Sequence, residues 1–418
     1  MSKLDEMIRE LCPDGVEYKR FDEVCTLNAR IGWQRLTKAE YMSKGDYLLI
    51  TGTDFTETHE IDYSTCVYVT EERYKQDLKI QLKNGDILIT KDGTLGKVAQ
   101  VKGLEMPATL NGGVFVVRCK DGSLENRFIL HYLLSNHFQS VVEQQKTGST
   151  ISHLTQTLFS RLMIPIPPLE IQREIVRILD NFTELTAELT AELTARKTQY
   201  SFYRSRLLTF DANVEWKTVD EIAEVTDYVA NGSFAALKEN VNYKHTPDYA
   251  ILVRTTDLVN GFDEENLVYI DKHAYNYLSK SKLYGGEIII NNIGAGVGTT
   301  FLCPCLDTYM SLAPNSIMVK TNNNKFYYYW LNSKEGQNAI RKIVSQGSLP
   351  KFNKTGFRSI RLPVPPLDVQ NRIVNVLDNF EKICSDLNIG LPAEIEARQK
   401  QYEYYRDKLL TFKEVAAT

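Results

Sequence analysis

The glycine-rich segment IGAGVG (Ile293–Gly298) is the stretch of this 418-residue chain that most resembles a nucleotide-binding loop. It follows the strand-like EIII, as such loops do. A cofactor loop of this kind opens a helix and is followed by an acidic residue about twenty positions later. Here TTFLCPCL follows, which reads as another strand. We therefore predict a strand-turn-strand without a cofactor, whose glycines let the backbone approach another surface.

Metal and methyl-transfer chemistry have no better support in the sequence. Of the seven Cys, Cys303 and Cys305 form a C-P-C motif without a second ligand pair, and the odd total fits reduced thiols. The six His are isolated. The N-P-P-[YF] motif that holds adenine in amino-methyltransferases is absent, because Leu follows both Pro pairs. We predict no catalytic residues and no bound metal.

Composition sets the broad class. A formal net charge of −4 gives no global sign of nucleic-acid binding, so any DNA surface must be local. No apolar run approaches the roughly 20 residues of a membrane span, and MSKLDEMIRE lacks the regions of a signal peptide. We expect a cytoplasmic protein of two or more domains.

The sequence contains an internal repeat. IPIPPLEIQREIVRILDNF (164–182) recurs as LPVPPLDVQNRIVNVLDNF (362–380), and ARKTQYSFYRSRLLTF (195–210) recurs as ARQKQYEYYRDKLLTF (397–412). Upstream, NGDILITKDGTLG in the first half is similar to GGEIIINNIGAGVG in the second. Each half reads as a β-rich unit, one closing helix, and a long helix with a Pro-rich start.

The long helices are the elements that would position the two units. ELTAELTAELTAR (184–196) repeats every four residues, close to one helical turn, so its leucines form one stripe. Apolar residues at heptad-like spacing predict that the two helices pair with each other, antiparallel. Asn388, Gly390 and Pro392 predict a kink or restart in the second helix.

This arrangement resembles the specificity subunit of a type I restriction-modification system over essentially the whole chain. The resemblance rests on the order of the segments and on the repeated P-x-P-P-L-[ED]-x-Q-x-x-I and Y-x-x-[YF]-R-x-[RK]-L-L-T-F motifs. One departure is small: the family usually has Glu before Gln in the Pro-rich block, where this chain has Glu170-Ile171-Gln172 and Asp368-Val369-Gln370. The implied fold class is α+β, with two β-rich target recognition domains (1–163 and 211–361), two spacer helices (164–210 and 362–418) pairing as an antiparallel coiled coil, and an internal pseudo-twofold repeat.

The resemblance also implies a function. Each recognition domain would read one half of a bipartite double-stranded DNA sequence, and the helices would dock two modification subunits. Those subunits would bind S-adenosylmethionine and methylate adenine, and restriction subunits would add cleavage. This chain would be a non-catalytic reader that binds no cofactor itself.

Candidate DNA contacts are ranked by chemistry and position. Phosphates need Lys, Arg, hydroxyls or free amides, and base edges need Arg, Lys, Asn or Gln. The candidates in the first half are Arg30, Gln34, Arg35, Lys91, Thr94, Lys97, Gly148, Ser149 and Thr150. The candidates in the second half are Asn231, Ser233, Arg254, Thr255, Asn291, Asn292, Ser348, Lys351 and Asn353.

Several apolar and aromatic residues have other predicted roles. Tyr327–Trp330 aligns with an apolar helix face, which favours core packing over base stacking. The residues assigned to the spacer and to partner docking are Leu185, Leu189, Leu193, Tyr200, Tyr203, Tyr402 and Tyr405. If the helices act as a ruler, one ELTA unit adds about 6 Å and changes the unspecified gap in the DNA target by one or at most two base pairs.

Two other functions stay open at this point. A structural coiled-coil scaffold with two β domains would bind no specific DNA sequence. A fused enzyme with a divergent methyltransferase would bind the methyl donor as an isolated chain, which the missing motifs argue against.

Overall fold

The computed structural model describes residues 3–30, 32, 35–144, 154–211, 213–345, 347–386 and 388–415. The chain divides into two compact units, one formed by Met1–Glu192 with Leu391–Thr418 and the other by Leu193–Gly390. The first unit is thus discontinuous in sequence. Within the described ranges, no helix combines the length and apolar character needed to cross a membrane.

The first unit contains one four-stranded, one three-stranded and one two-stranded sheet, with strand orders β2-β8-β5-β6, β4-β3-β7 and β1-β9. Strand β3 pairs in parallel with β7 and antiparallel with β4. Its elements before the long helix are α1 (Lys3–Leu11), β1 (Tyr18–Arg20), α2 (Phe21–Val24), β2 (Cys25–Asn28), β3 (Tyr47–Ile50), β4 (Val67–Val69), α3 (Glu71–Lys75), β5 (Ile87–Thr90), β6 (Val98–Gln100), β7 (Ala108–Leu110), β8 (Val114–Cys119), α4 (Asn126–Leu134), α5 (Asn136–Gln144), α6 (Gln156–Arg161) and β9 (Met163–Pro165).

The long helix α7 (Leu169–Leu208) passes from the first unit into the second. The elements after it are β10 (Trp216–Thr218), α8 (Val219–Ile222), β11 (Glu224–Asp227), α9 (Phe234–Asn240), β12 (Ala250–Val253), α10 (Thr255–Val259), β13 (Tyr269–Ile270), α11 (Lys272–Tyr277), β14 (Lys282–Leu283), β15 (Ile288–Asn291), β16 (Thr300–Leu302), β17 (Tyr309–Leu312), β18 (Ser316–Lys320), α12 (Asn324–Leu331), α13 (Lys334–Ile343), α14 (Lys354–Arg358), β19 (Arg361–Pro363), α15 (Leu367–Ser385) and α16 (Leu391–Leu409). The sheet orders β11-β18-β15-β16, β13-β12-β17-β14 and β10-β19 repeat those of the first unit, with β14 added. The predicted internal repeat is confirmed.

The uninterrupted apolar runs ILI and III arise because β5 and β15 are buried on both faces. Alternate residues of a strand point to opposite sides of its sheet. Ile87 and Ile89 enter the core that holds the helices, whereas Leu88 enters a separate core under the three-stranded sheet. In the second unit, Ile288 and Ile289 divide in the same way. The strand therefore links two cores in each unit.

The repeated Gln of the Pro-rich motif has a structural role. Gln172 is fully buried, and its Nε2 donates to the Pro167 carbonyl at 2.7 Å and to the Ser123 carbonyl at 2.8 Å. Gln370, also fully buried, donates to the Pro365 carbonyl at 2.9 Å. In both copies the side chain thereby satisfies a carbonyl of the Pro-rich start, and Gln172 also joins that start to the loop before α4.

The four-residue repeat lies in one continuous helix, as predicted. The hydroxyls of Thr186 and Thr190 donate to the carbonyls four residues earlier, at 2.9 and 2.8 Å. Threonine thus completes its hydrogen bonding inside the helix. The stripe residues Leu185, Leu189 and Leu193 are half-buried.

The second helix is interrupted between α15 and α16, where Asn388, Gly390 and Pro392 predicted it. A Cβ atom on Gly390 would lie 2.6 Å from the Asp386 carbonyl oxygen and 2.7 Å from that of Lys382. Only glycine fits this close approach.

Within each unit, α7 packs against a segment of the second helix. In the first unit the ring of Phe182 stacks on Tyr405 of α16, with 5.5 Å between centroids. In the second unit the ring centroids of Tyr200 and Phe380 lie 6.0 Å apart. Burial raises the pKa of the Cys384 thiol, which the nearby cations of Lys197 and Arg196 partly offset. Moving back along α7 thus moves forward along α15, so this pairing is antiparallel.

The prediction of one closing helix per half is wrong, because two consecutive helices take its place, α4 and α5 in the first unit and α12 and α13 in the second. Ser135 separates α4 from α5, and Ser333 separates α12 from α13. The Ser333 hydroxyl accepts from the Gly336 amide at 3.1 Å, and that of Ser135 donates to the Tyr132 carbonyl at 2.7 Å. Both serines thus compete with the helical hydrogen bonds.

Candidate nucleic-acid interface

A polar cleft of about 640 Å³ opens where strands of the two larger sheets end in the first unit. It is rich in threonine hydroxyls and also presents an amide and two lysines, all groups that hydrogen-bond to phosphates or base edges. The lining residues are Lys38, Tyr41, Thr51, Gly52, Thr53, Asp54, Thr65, Val67, Thr90, Asp92, Gly93, Thr94, Lys97, Asn111 and Gly113. Of the predicted contacts, Thr94 and Lys97 lie here, and both are exposed.

The turn between β5 and β6 presents those two residues. The Thr90 hydroxyl donates to the Thr94 carbonyl and accepts from the Lys97 amide at 3.0 Å. This one side chain braces the turn from inside, so the side chains of Thr94 and Lys97 point to solvent. The turn is held while its polar groups stay available.

The loop after β3 is braced by a buried carboxylate. Asp54 is 3% exposed and accepts from the Thr51 amide at 2.7 Å and the Thr65 hydroxyl at 3.0 Å. In the second unit Asp257 accepts from the Arg254 amide at 2.8 Å in the same way. The loop frame is the same, while the side chains on it differ.

Arg30 is a correction to the predicted contact set. The sequence predicts a DNA contact for it, but its side chain is fully buried. The guanidinium donates to the Leu110 carbonyl at 3.0 Å and to Gln76 Oε1 at 2.8 Å. Buried Arg persists where its donors are satisfied in this way, so Arg30 holds the fold together. Arg35, in contrast, is exposed.

Lys91 is mostly buried, with its Nζ 5.2 Å from the centre of the Phe115 ring. Burial lowers the pKa of its ammonium, which Asp92 partly offsets. Its backbone amide donates to the Gly113 carbonyl at 2.9 Å. The side chain is therefore less available than that of Lys97. Gln34, Gly148, Ser149 and Thr150 lie outside the described residues.

In the second unit, two predicted residues are engaged by their neighbours. Asn231 donates to Ser281 Oγ at 2.9 Å and accepts from the Lys280 amide at 2.8 Å. Arg254 pairs with Asp257, with 2.6 Å between Nη2 and Oδ1, which raises the pKa of the guanidinium. Both side chains act within the fold.

Asn291 and Asn292 lie at the start of the turn after β15, which corresponds to the turn after β5 in the first unit. Asn291 Oδ1 accepts from the Ile293 amide at 3.2 Å, and Asn292 Nδ2 donates to the Phe352 carbonyl at 3.3 Å. Asn292 Oδ1 is buried without a hydrogen-bond partner. Thr255, at the start of α10, is half-exposed. The predicted strand-turn-strand around IGAGVG is confirmed, because β16 follows it.

The remaining candidates of the second unit are exposed. Ser233 caps α9, and Asn353 caps α14 by accepting from the Gly356 amide at 2.8 Å. Ser348 and Lys351 lie on the segment that pairs with the turn through the Ile293–Lys351 bridge. This segment and the turn are thus brought together.

Some exposed groups had no distinguishing signal in the sequence. Lys38, Tyr41 and Thr53 line the cleft of the first unit but lie in segments without periodic pattern. Phe234, next to Ser233, is 81% exposed. The exposure of an aromatic residue such as Phe234 identifies it as part of the surface, and the sequence does not reveal that exposure.

The tyrosines repeated in the helices divide into buried and exposed positions. Tyr402 is buried, while Tyr200 is half-buried. Tyr203 and Tyr405 are partly exposed, next to Phe202 and Tyr404. The run Tyr327–Trp330 packs largely in the core, as predicted, with Tyr327, Tyr329 and Trp330 each at most 2% exposed.

Comparisons with known proteins agree with this architecture. The model of the type I restriction modification DNA specificity domain matches residues 13–196 and again 213–397. The specificity subunit of the Escherichia coli type I restriction enzymes EcoR124I/EcoR124II is 31% identical over 312 residues, which cover 71% of this chain and 73% of that protein. A putative type I specificity subunit of Haemophilus influenzae is 31% identical over 317 residues, covering 72% and 76%.

Solved structures share the fold. A structure from a study of complex assembly and conformational transition of the type I R-M system gives a TM-score of 0.57 at 14% identity, covering 96% of this chain and 98% of that one. The crystal structure of the type I S subunit from M. genitalium gives 0.51 at 16% identity, covering 95% and 96%. Because two copies of the family model span most of the sequence, this chain belongs to the type I restriction-modification DNA specificity subunits.

Proposed function

We propose that each unit reads one half of a bipartite double-stranded DNA target. As a specificity subunit, the chain is the non-catalytic DNA-recognising member of a complex with other restriction-modification subunits. The observation that carries the proposal is that the two family repeats contain the same turn with different polar residues. The exposed Lys97 in the first unit corresponds to the exposed Thr299 in the second, because their carbonyls accept from the equivalent amides of Thr90 and Asn291. One turn backbone that carries a different set of side chains in each unit suits two different half-sites.

Direct contacts are assigned to exposed and half-exposed groups. In the first unit, Lys97 and Arg35 suit phosphates or guanine, and the hydroxyls of Thr94 and Thr53 suit phosphates or base edges. In the second unit we assign Ser233, Thr255, Asn291, Ser348, Lys351 and Asn353. Gln34, Gly148, Ser149 and Thr150 stay in the proposal on sequence grounds. Lys91, Asn231, Arg254 and Asn292 support these surfaces from behind.

The repeated helices supply two equivalent docking sites for modification subunits. Phe202 and Tyr203 meet edge to face, with 5.5 Å between centroids, and Tyr404 and Tyr405 do so at 5.3 Å. Phe202 is 58% exposed and Tyr404 60%. Exposed aromatic residues are typical anchors of protein interfaces. The same pair at the same place in both copies fits a partner that binds twice.

The partners complete the chemistry. The modification subunits would bind S-adenosylmethionine and methylate adenine, and restriction subunits would join through them. The assembly would act in the cytoplasm, where bacterial DNA lies. Leu185, Leu189 and Leu193 belong to the spacer between the reading units in this proposal, which also keeps the predicted boundaries 1–163, 164–210, 211–361 and 362–418.

The test is to co-express the chain with its modification subunit in a host without adenine methylation and to map methyladenine by long-read sequencing. We expect a split motif, with two defined halves around a fixed unspecified gap. A stable complex that binds the methyl donor but leaves the genome unmethylated would overturn the proposal and favour a structural scaffold.

A further inference from the structure

Two glutamines join the turns at the candidate interface to the closing helices in the same way. Gln139 Nε2 donates to the Gly96 carbonyl at 3.0 Å and to the Leu133 carbonyl at 2.6 Å. Gln337 Nε2 donates to the Gly298 carbonyl at 3.2 Å and to the Leu331 carbonyl at 2.9 Å. A primary amide has two protons, so one side chain serves both carbonyls.

Each glutamine therefore links two elements. Leu133 and Leu331 lie at the ends of α4 and α12, where carbonyls have lost their helical partners. Gly96 and Gly298 end the turns after β5 and β15. Through one amide, the position of the turn is fixed to the end of a helix that packs in the core.

The glycines leave room for this contact. Gly96 has φ of 79° and Gly298 has φ of 90°, a backbone conformation that favours glycine. A Cβ atom on Gly96 would lie 2.8 Å from Gln139 Oε1, and one on Gly298 would lie 3.1 Å from Ile340 Cγ2. A larger residue at either position would be strained by its backbone conformation and would crowd the side chains of the neighbouring helix.

The contact is the same although the turns differ. Residues 91–95 separate Thr90 from Gly96, whereas the longer stretch 292–297 separates Asn291 from Gly298. The Thr90 hydroxyl that braces the first turn is replaced by the amide of Asn291 in the second. The two turns differ in sequence and length, but in both units the glutamine joins the turn to the end of a helix.

We propose that Gln139 and Gln337 are positioning residues that hold the DNA-reading turn of their own unit in register with the DNA. This inference rests on the proposed function, because it takes these turns to be readers. It assigns the glutamines no contact with DNA. They act through the turn, so each affects the reading of one half-site and leaves the other unchanged.

The experiment uses the full complex of the chain with its modification subunit and synthetic duplexes that carry the target or single base changes in either half. The variants are Gln139→Leu, Gln139→Glu and Gln337→Leu, and Ser140→Ala is the control, at an exposed residue of the same helix α5 whose hydroxyl bonds within the helix. The readout is kcat/KM for methylation, compared between matched and altered half-sites, with thermal unfolding recorded in parallel.

We expect Gln139→Leu to weaken discrimination in one half-site by roughly tenfold to a hundredfold, since small displacements of reacting or reading groups have effects of that size. Gln337→Leu should do so in the other half, and Ser140→Ala in neither. Gln139→Glu, which keeps the side-chain volume but has no amide protons, should reproduce Gln139→Leu. Equal losses in both halves, or no loss in either, would overturn the positioning role.

Lys97→Ala and Thr94→Ala separate this inference from the proposed function. If they alter one half-site while Gln139→Leu and Gln139→Glu do not, the turn reads DNA and the positioning role fails. If they leave recognition of both halves unchanged, this turn is not a reader and the proposed function fails at this site.

Discussion

The hydroxyl of Tyr402 lies 3.0 Å from Nδ1 of His131, which joins the final helix to the interior of the first unit. Nε2 of the same ring lies 2.9 Å from Oδ1 of Asp180 on α7. The partners fit a neutral imidazole whose Nδ1 accepts from tyrosine and whose Nε2–H donates to the carboxylate. Three helices of the first unit thus meet at one buried histidine.

This arrangement predicts a loss of stability in mild acid. Burial lowers the pKa of His131 below its ordinary value of 6.5, an effect that the Asp180 carboxylate opposes. Below pH 6.5 the unfolded chain binds a proton that the folded chain does not, so the stability that is present above this pH is lost as pH falls toward the folded-state pKa. The slope is at most about 1.4 kcal/mol per pH unit for this one group.

Thermal unfolding between pH 7.5 and pH 5 measures the effect. His131→Gln keeps hydrogen-bonding groups without titrating, and it should flatten the part of the pH dependence that begins at 6.5. An unchanged pH profile in this variant would show that other groups control acid sensitivity.

Arg30 and Arg35 are close in sequence and should differ in effect. Arg30→Ala removes the buried donors to Leu110 and Gln76, and we expect it to lower the free energy of unfolding by about 2–3 kcal/mol. Arg35→Ala should leave stability within about 0.5 kcal/mol, because the residue is exposed. Denaturant unfolding and DNA binding by the complex separate the two effects. The reverse pattern would contradict the placement of Arg30 in the fold.

The exposed aromatic pairs predict stepwise loss of partner binding. Phe202→Ala should weaken one of two modification-subunit sites by roughly tenfold or more, and Tyr404→Ala the other. Titration calorimetry should then show one unchanged and one weakened site for each variant, and two weakened sites for the double variant. Leu78→Ala, at a residue that is 73% exposed and outside the two repeated helices in sequence, serves as the control. Unchanged affinity at both sites in the double variant would show that the modification subunits bind elsewhere on this chain.

The length of α7 predicts the spacing of the target. Deleting Thr186–Leu189 removes one turn, about 6 Å, and keeps the leucine stripe nearly in phase. We expect the unspecified gap to shorten by one or at most two base pairs, each about 3.4 Å, with both half-sites unchanged. Methylation mapping checks this, and Thr186→Ala, which preserves length, should leave the gap as it is. Altered half-sites at constant spacing would count against the ruler.

Much of the architecture could be predicted because its motifs occur twice in the sequence. The repeated motifs placed the long helices, and the residues Asn388 and Gly390 marked the break in the second. Ser135 and Ser333 were missed as breaks, since each lies between two apolar segments that were interpreted as one helix. A serine hydroxyl ends a helix only where the surrounding packing favours its hydrogen bonds over those of the continuing helix. The local sequence pattern does not reveal that packing.

The candidate interface was less predictable, because its contacts join distant residues. The Leu110 carbonyl that fixes Arg30 is 80 positions away along the chain. Gln139 reaches Gly96 across 43 positions. Residue type suggested contact with DNA for Arg30, and only tertiary packing assigns it to the interior.

The dependence of the first unit on α16 has a consequence for synthesis on the ribosome. Tyr402 and Leu410 belong to the core of the first unit, and the Val16–Glu414 bridge joins its two chain segments. The second unit has all of its residues once Gly390 has been translated. The half that is made first is therefore the last to be completed, and until then its apolar surface is a ready substrate for chaperones.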